Sequence, residues 1–197
     1  MLRRNTIHRT LPMPLAYLAG PDVFLPDAPA HALRKAAICA RHGITPRPPL
    51  NEDVGTLEAM HDAAAWRTIF AKDLAMMQEC DLIIANLTPF RGASADAGTL
   101  VELGWFLGRG RPAFGYSNCA VPFEARNRAH NAALPDPMPG LTVNGFGLPD
   151  NLMIPGALEA AGGLPMVLPE DGRDHAFDGL EVFERCVALA ARRLGIA

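Results

Sequence analysis

The chain has 197 residues, 49% of them hydrophobic, which suits one domain with a sizeable core. Its net charge of -3 offers no basic footprint for nucleic acid, and no apolar run reaches the length of a membrane span. The four cysteines, Cys39, Cys80, Cys119 and Cys186, form no CxxC pair and have no close His partner suited to zinc. No metal or other cofactor is expected, and a reducing, cytoplasmic compartment is the simplest reading.

Residues 1–13 carry Arg3, Arg4 and Arg9 but lack the continuous apolar segment of a signal peptide. They read as a flexible tail ahead of one domain over 14–197. Pro14 to Gly20 reads as a first strand, ended by Gly20-Pro21, a turn that is not a GxGxxG fingerprint for a dinucleotide. Asp27 is expected to cap a helix to about Arg41, with Leu33, Ala36, Ala37 and Ala40 at core spacing and Gly43 as its stop. Ile44-Thr-Pro-Arg-Pro reads as a short second strand, which its prolines confine to an edge or an end. The polar loop Pro48 to Gly55 follows. A long helix from about Asp62 to Glu79 places Asp73 between the apolar pairs Ile69, Phe70 and Met76, Met77.

The most informative stretch runs from Asp81 to Tyr116. Asp81 to Leu87 is an apolar run rich in β-branched residues and too short for a usual helix, so a buried strand is expected. Ser94 to Gly110 starts on cap-type residues, has helical apolar spacing and stops on glycines; Arg111 to Ser117 then reads as a strand, completing a βαβ unit. Within that helix Glu102 stands among Leu100, Val101, Leu103, Trp105 and Phe106. Helical Cα–Cβ bonds tilt toward the N-terminus, so its side chain is expected to lean over Gly98 and Thr99. From there it reaches the carboxyl end of the preceding strand, where open parallel sheets put their ligand crevice, and a ligand would lie against bare backbone at Gly98. The helix N-terminus nearby favours an ionised acid. The alternative is a solvated Glu on an exposed helix, and Asp96 has a parallel alternative as a plain helix N-cap.

Asp96-x-Gly98-x-x-x-Glu102-x-Gly104 after an apolar strand, together with Tyr17-Leu-Ala-Gly-Pro-Asp-Val-Phe24, resembles the nucleoside 2-deoxyribosyltransferases. The resemblance covers most of the chain between Leu15 and about Ile154. It implies a flavodoxin-like or Rossmann-like three-layer α/β sandwich with a central parallel sheet. It also implies transfer of a 2-deoxyribosyl group between nucleobases by a retaining ping-pong mechanism. By that resemblance Glu102 is the nucleophile, Tyr17 orients its carboxylate, and Asp96 exchanges protons with the leaving and incoming bases. Asp73 occupies the place of another active-site acid. Phe24 would line the nucleoside pocket, with Gly20 and Gly98 among the substrate contacts and Asn51 and Glu52 on the base side.

From Asn118 to Pro149 the chain is rich in Pro, Gly and Asn with little periodicity, as in a lid or subunit contact. It ends in Asp150-Asn151-Leu-Met, where the resemblance assigns Asn151 to a neighbouring subunit's sugar 5′-hydroxyl and hence implies a homo-oligomer with shared sites. Asp150-Asn151 is also a plain helix cap. Asp178 to about Leu194 reads as a final amphipathic helix, unlike compact family members whose terminal carboxylate joins the site. The expected ligands are small-molecule deoxynucleosides and free nucleobases, with neither nucleic acid nor membrane as partner. Two other functions fit the same residues: an N-glycosidic hydrolase of (deoxy)nucleosides or nucleoside monophosphates, and a non-catalytic nucleoside sensor.

Overall fold

The computed structural model describes residues 13–50, 65–133, 140, 142–143 and 145–196. Four strands form one parallel sheet in the order β2-β1-β3-β4: β1 (Leu15–Ala19), β2 (Thr45–Arg47), β3 (Leu82–Asn86) and β4 (Ala113–Tyr116). Every residue of β3 and β4 is buried, as strands covered on both faces require, while the proline-bearing β2 lies at an edge. Val167 extends the other edge through a parallel bridge to Tyr116.

The period of two along the strands divides the core. Ala16, Leu18, Leu82 and Ile84 face helices α1 (Ala28–Arg41) and α6 (Glu181–Leu194), packing with Ile38, Cys39, Phe183, Cys186 and Val187. Tyr17, Ala19, Ile83 and Ala85 face the opposite layer of α2 (Ala65–Glu79), α3 (Ala97–Gly108) and α5 (Met153–Gly162), packing with Met77, Leu103, Phe106, Ile154 and Leu158. The result is the expected three-layer sandwich. Gly162 fixes how closely α5 approaches the sheet, since a Cβ there would fall 2.1 Å from the Ala113 carbonyl oxygen.

Two expectations are corrected. The inward face of α1 is His31, Ala32, Lys35, Ile38 and Cys39, and Leu33 is 73% exposed. A lysine and a histidine displace the alanine-rich face because their heads are paired inside the protein. The stretch after Asn118 also contains a helix, α4 (Phe123–Ala133), which its polar composition concealed. Arg126 of α4 explains its docking: its guanidinium donates to the carbonyls of Ala93, Val121 and Pro149 and lies 3.6 Å from the buried Asp150 carboxylate. Asp150 in turn accepts from Ser94 Oγ and from the amides of Ala95 and Asn151. This hub joins α4, the β3–α3 loop and the start of α5.

Among the described residues no helix is long and apolar enough to cross a membrane. Residues 1–12 lie outside the described residues, as do Asn51 and Glu52.

Candidate active site

At the carboxyl end of β1 the chain must turn at Gly20, whose φ of 147° suits glycine; a Cβ there would sit 2.7 Å from Asn86 Cβ. Pro21–Phe24 then forms a single 3-10 turn. This bend leaves the end of β1 open beside the β3–α3 loop, the position of the ligand crevice in open parallel sheets.

Tyr17, fully buried on β1, donates its hydroxyl to Glu102 Oε1 at 2.7 Å. The two residues lie 85 positions apart, and the sheet brings them together through β1–β3 pairing and the packing of α3 beneath. Glu102 is partly buried, so it is not the solvated surface acid of the bland alternative. Its carboxyl pKa is pushed up to about 7, chiefly by burial; the Tyr17 hydrogen bond works downward, and Asp73 and Asp96 repel the charge and add to the rise. The α3 N-terminus favours the ionised form, and burial works against it at Glu102. Glu102 lies beyond the first turn, where the dipole fades, and desolvation outweighs that field. Burial and the adjacent Glu102 charge also raise Tyr17 well beyond the usual phenol range, which keeps it a donor.

Asp96 is the N-cap of α3: its Oδ2 accepts from the Thr99 amide at 2.9 Å and the Thr99 hydroxyl at 3.1 Å. The N-cap reading of Asp96 is therefore what the geometry shows. The same Oδ2 lies 3.1 Å from where a Gly98 Cβ would project. The capping carboxylate therefore lies directly against the bare backbone of Gly98. Asp73 lies on α2, close enough to act electrostatically on both Tyr17 and Glu102. Tyr17, Asp73 and Asp96 all act on Glu102, which makes the four residues one cluster. Phe70, one turn before Asp73, is 59% exposed, and Met77 is the buried anchor of α2.

Phe24 stands at the rim, 52% exposed and stacked on Phe90. Asn151 is engaged at the start of α5, where its Oδ1 accepts from the Met153 amide. Within one chain, then, the carboxylate cluster forms without Asn151. Among the described residues no group of three or more His, Cys, Asp or Glu side chains has metal-binding geometry. All four cysteines are free thiols; burial pushes Cys39 and Cys186 up to about 12 and Cys80 up to about 11, which leaves them protonated and unreactive.

Sequence reasoning missed the polar group on the other face of the sheet. Asp22 accepts from Lys35 Nζ at 2.8 Å and Asn86 Nδ2 at 2.9 Å and lies 3.4 Å from His31 Nε2. The signal was present: His31 and Lys35 share a helical stripe with Ile38 and Cys39, and charge on such a stripe implies a buried partner.

Comparison with known proteins agrees with this fold. The family model described as Nucleoside 2-deoxyribosyltransferase matches residues 16–153. An uncharacterized protein of Schizosaccharomyces pombe is 29% identical, over 79% of this chain and 82% of its own. The solved 2-desoxiribosyltransferase from Leishmania mexicana has a TM-score of 0.63 and 27% identity, covering 91% of this chain and 97% of that one. A conserved protein from Enterococcus faecalis V583 shares the fold at a TM-score of 0.52 and 18% identity, over 89% of this chain and 97% of its own. With the model spanning β1 through the start of α5, and so every element that carries the carboxylate cluster, the chain belongs to the nucleoside 2-deoxyribosyltransferase family.

Proposed function

We propose that the protein transfers a 2-deoxyribosyl group between nucleobases through a covalent glycosyl-Glu102 intermediate. The observation that carries this reading is the Tyr17–Glu102 hydrogen bond of 2.7 Å at the carboxyl end of the sheet. It fixes one carboxylate oxygen and leaves the other to attack. In the first half-reaction Glu102 bonds to C1′ as the C1′–N bond breaks, and the electron pair leaves with the base. Asp96 or Asp73 supplies the proton that the departing base needs. An acceptor base then attacks C1′ from the opposite face, releases Glu102 and returns its proton to the same acid. Two inversions restore the β-anomer.

A pKa near 7 supports this role, because a carboxylate of raised basicity is a better nucleophile and is still substantially ionised at neutral pH. Tyr17 orients the attacking group and donates to it in the free enzyme. As the glycosyl ester forms, the charge on Glu102 disappears and that hydrogen bond weakens, so what Tyr17 contributes to the rate is orientation and not charge stabilisation.

Asn151 completes the site of a neighbouring protomer in this reading and holds the sugar's 5′-hydroxyl. Leu152 and Met153, the next two residues, are 42% and 69% exposed, as suits a face that another subunit covers. Asn151→Ala is expected to lower activity toward 2′-deoxynucleosides more than toward their 5′-deoxy analogues. Mixing Glu102→Ala and Asn151→Ala proteins under conditions of proven subunit exchange should raise activity; no rise places Asn151 in its own subunit's chemistry or in none.

The test of the reaction is incubation with a β-2′-deoxynucleoside, with and without a second free base. Transfer predicts ping-pong kinetics and a β-configured new nucleoside. Release of base at the same rate whether or not an acceptor is present, with no new nucleoside, would identify a hydrolase. Binding without turnover would identify a sensor.

A further inference from the structure

At the carboxyl ends of β1 and β3 the chain carries an aromatic shelf. Phe24 stacks on Phe90 of the β3–α3 loop with ring centroids 5.5 Å apart and planes at 11°, and Phe90 meets Phe177 at 6.1 Å. Arg91, the next residue, has a φ of 54°, the single positive value outside glycine among the described residues. A left-handed backbone is unfavourable for a residue with a Cβ, and only surrounding structure maintains it. Here it folds the side chain back, so that the guanidinium lies 5.4 Å from the Phe24 centroid and 4.8 Å from that of Phe90. A guanidinium on a ring face keeps its N–H groups around its rim, and no carboxylate among the described residues pairs with this one.

The surroundings distinguish between ligands. The amides of Thr88, Phe90 and Ala95 are already bonded to Asn86 Oδ1, the Ser94 carbonyl and Asp150 Oδ2, so these three add no donors for a phosphate beside the guanidinium. Asp96 and Glu102, on the helix that follows, add repulsion for an anion. A neutral planar ring suits the shelf, stacked on exposed Phe24 with its edge toward Arg91.

On these grounds, and resting on the transfer reading above, we propose that Arg91 reads the nucleobase and selects 6-oxopurines over 6-aminopurines. Two adjacent N–H donors of a guanidinium match the O6 and N7 acceptors of hypoxanthine or guanine. Adenine places an amino donor beside N7, so one Arg91 donor would face another donor.

The test is equilibrium binding of 2′-deoxyinosine and 2′-deoxyadenosine to Glu102→Ala protein, with Arg91 intact and with Arg91→Gln. With Arg91 intact, deoxyinosine should bind about 10-fold more tightly, in the range of discrimination that one bidentate pair gives. Arg91→Gln should weaken deoxyinosine by a similar factor and tighten deoxyadenosine, because a Gln amide both donates to N7 and accepts from the adenine amino group. Arg91→Lys, which retains the charge but not the paired donors, should lose the selectivity without reversing it. Equal binding with Arg91 intact, or equal changes for both ligands in the variants, would overturn the proposal. Turnover by the unsubstituted enzyme judges the transfer reading separately: cleavage of both nucleosides at equal kcat/KM refutes base reading alone, and selective binding without turnover refutes transfer alone.

Discussion

Asp22 and Glu102 are acids at the same end of the same sheet, on opposite faces, and the fold treats them in opposite ways. Burial raises both. At Asp22 the rise is overcome by the Lys35 ammonium and by hydrogen bonds from His31, Lys35 and Asn86, so the carboxyl is held well below the usual carboxylate range. At Glu102 the partner is a neutral hydroxyl and the neighbouring charges are acids, so the pKa moves to about 7. Depth of burial does not separate the two acids; the sign of the surrounding charge does. On the Asp22 face the charge is locked to a cation that lies 4.6 Å from the Phe183 ring centroid. On the Glu102 face no cation among the described residues is paired with the carboxylate, and in the proposed reaction it is the group that meets the electrophile.

Substitution should separate the two faces sharply. Glu102→Gln should lower kcat/KM by on the order of 10⁴-fold or more, as loss of a covalent nucleophile does, while the protein stays folded. Lys35→Met should do the reverse, destabilising the protein by about 3–5 kcal/mol in denaturant titration because a buried Asp22 charge is left without its partner. The double variant Asp22→Asn, Lys35→Met should recover much of that loss. If Lys35→Met is as stable as the parent, Asp22 is not held by its cation.

The pH dependence of stability provides a finer comparison. Glu102 has a folded pKa of about 7 against an ordinary 4.5, so its native state binds the extra proton between those values. Its contribution favours folding at low pH and is lost as pH rises through about 7, by up to about 3 kcal/mol. Asp22 has a folded pKa below its ordinary 3.8, so its contribution is complete above that value and is lost as pH falls below it. Glu102→Gln should flatten the loss of stability between pH 4.5 and 7 and leave the acid-side loss intact; Asp22→Asn should do the opposite. The smallest effect expected is on the activity profile. In the parent kcat/KM should rise with pH through an acid limb near 7 as Glu102 ionises. Tyr17→Phe should move that limb upward, since it removes the hydrogen bond that lowers the Glu102 pKa. A limb that moves downward, or stays in place, would detach Tyr17 from the ionisation of Glu102.

Much of the Glu102 face was legible in the sequence. The β3–α3–β4 unit announced itself through a short β-branched run, a capping acid and terminal glycines, and the acid within an apolar helix stood out against its neighbours. Its charge state was not legible, because that depends on Tyr17, 85 positions away, and on Asp73 from a third element. The Asp22 face was harder to read. Alanines at helical spacing suggested an inward face for α1, but alanine is small enough to sit on either side, whereas Lys35 and His31 are inward only because Asp22 meets them. α4 was hidden because its packing comes from one arginine and a buried aspartate, Arg126 and Asp150, and not from an apolar stripe. The turn of Arg91 was invisible too, since no local residue pattern demanded a positive φ there.

The central claim, that Glu102 is the acid left free to form a bond, is tested most directly by mass spectrometry. The protein would be mixed with a 2′-deoxynucleoside in the absence of acceptor base, quenched in acid and digested, and the peptide containing Glu102 examined. The account predicts a deoxyribosyl unit attached at Glu102, present in the parent, absent in Glu102→Gln, and discharged when an acceptor base is added before the quench. Turnover with no sugar ever found on that peptide, or with the sugar on Asp73 or Asp96 instead, would contradict it.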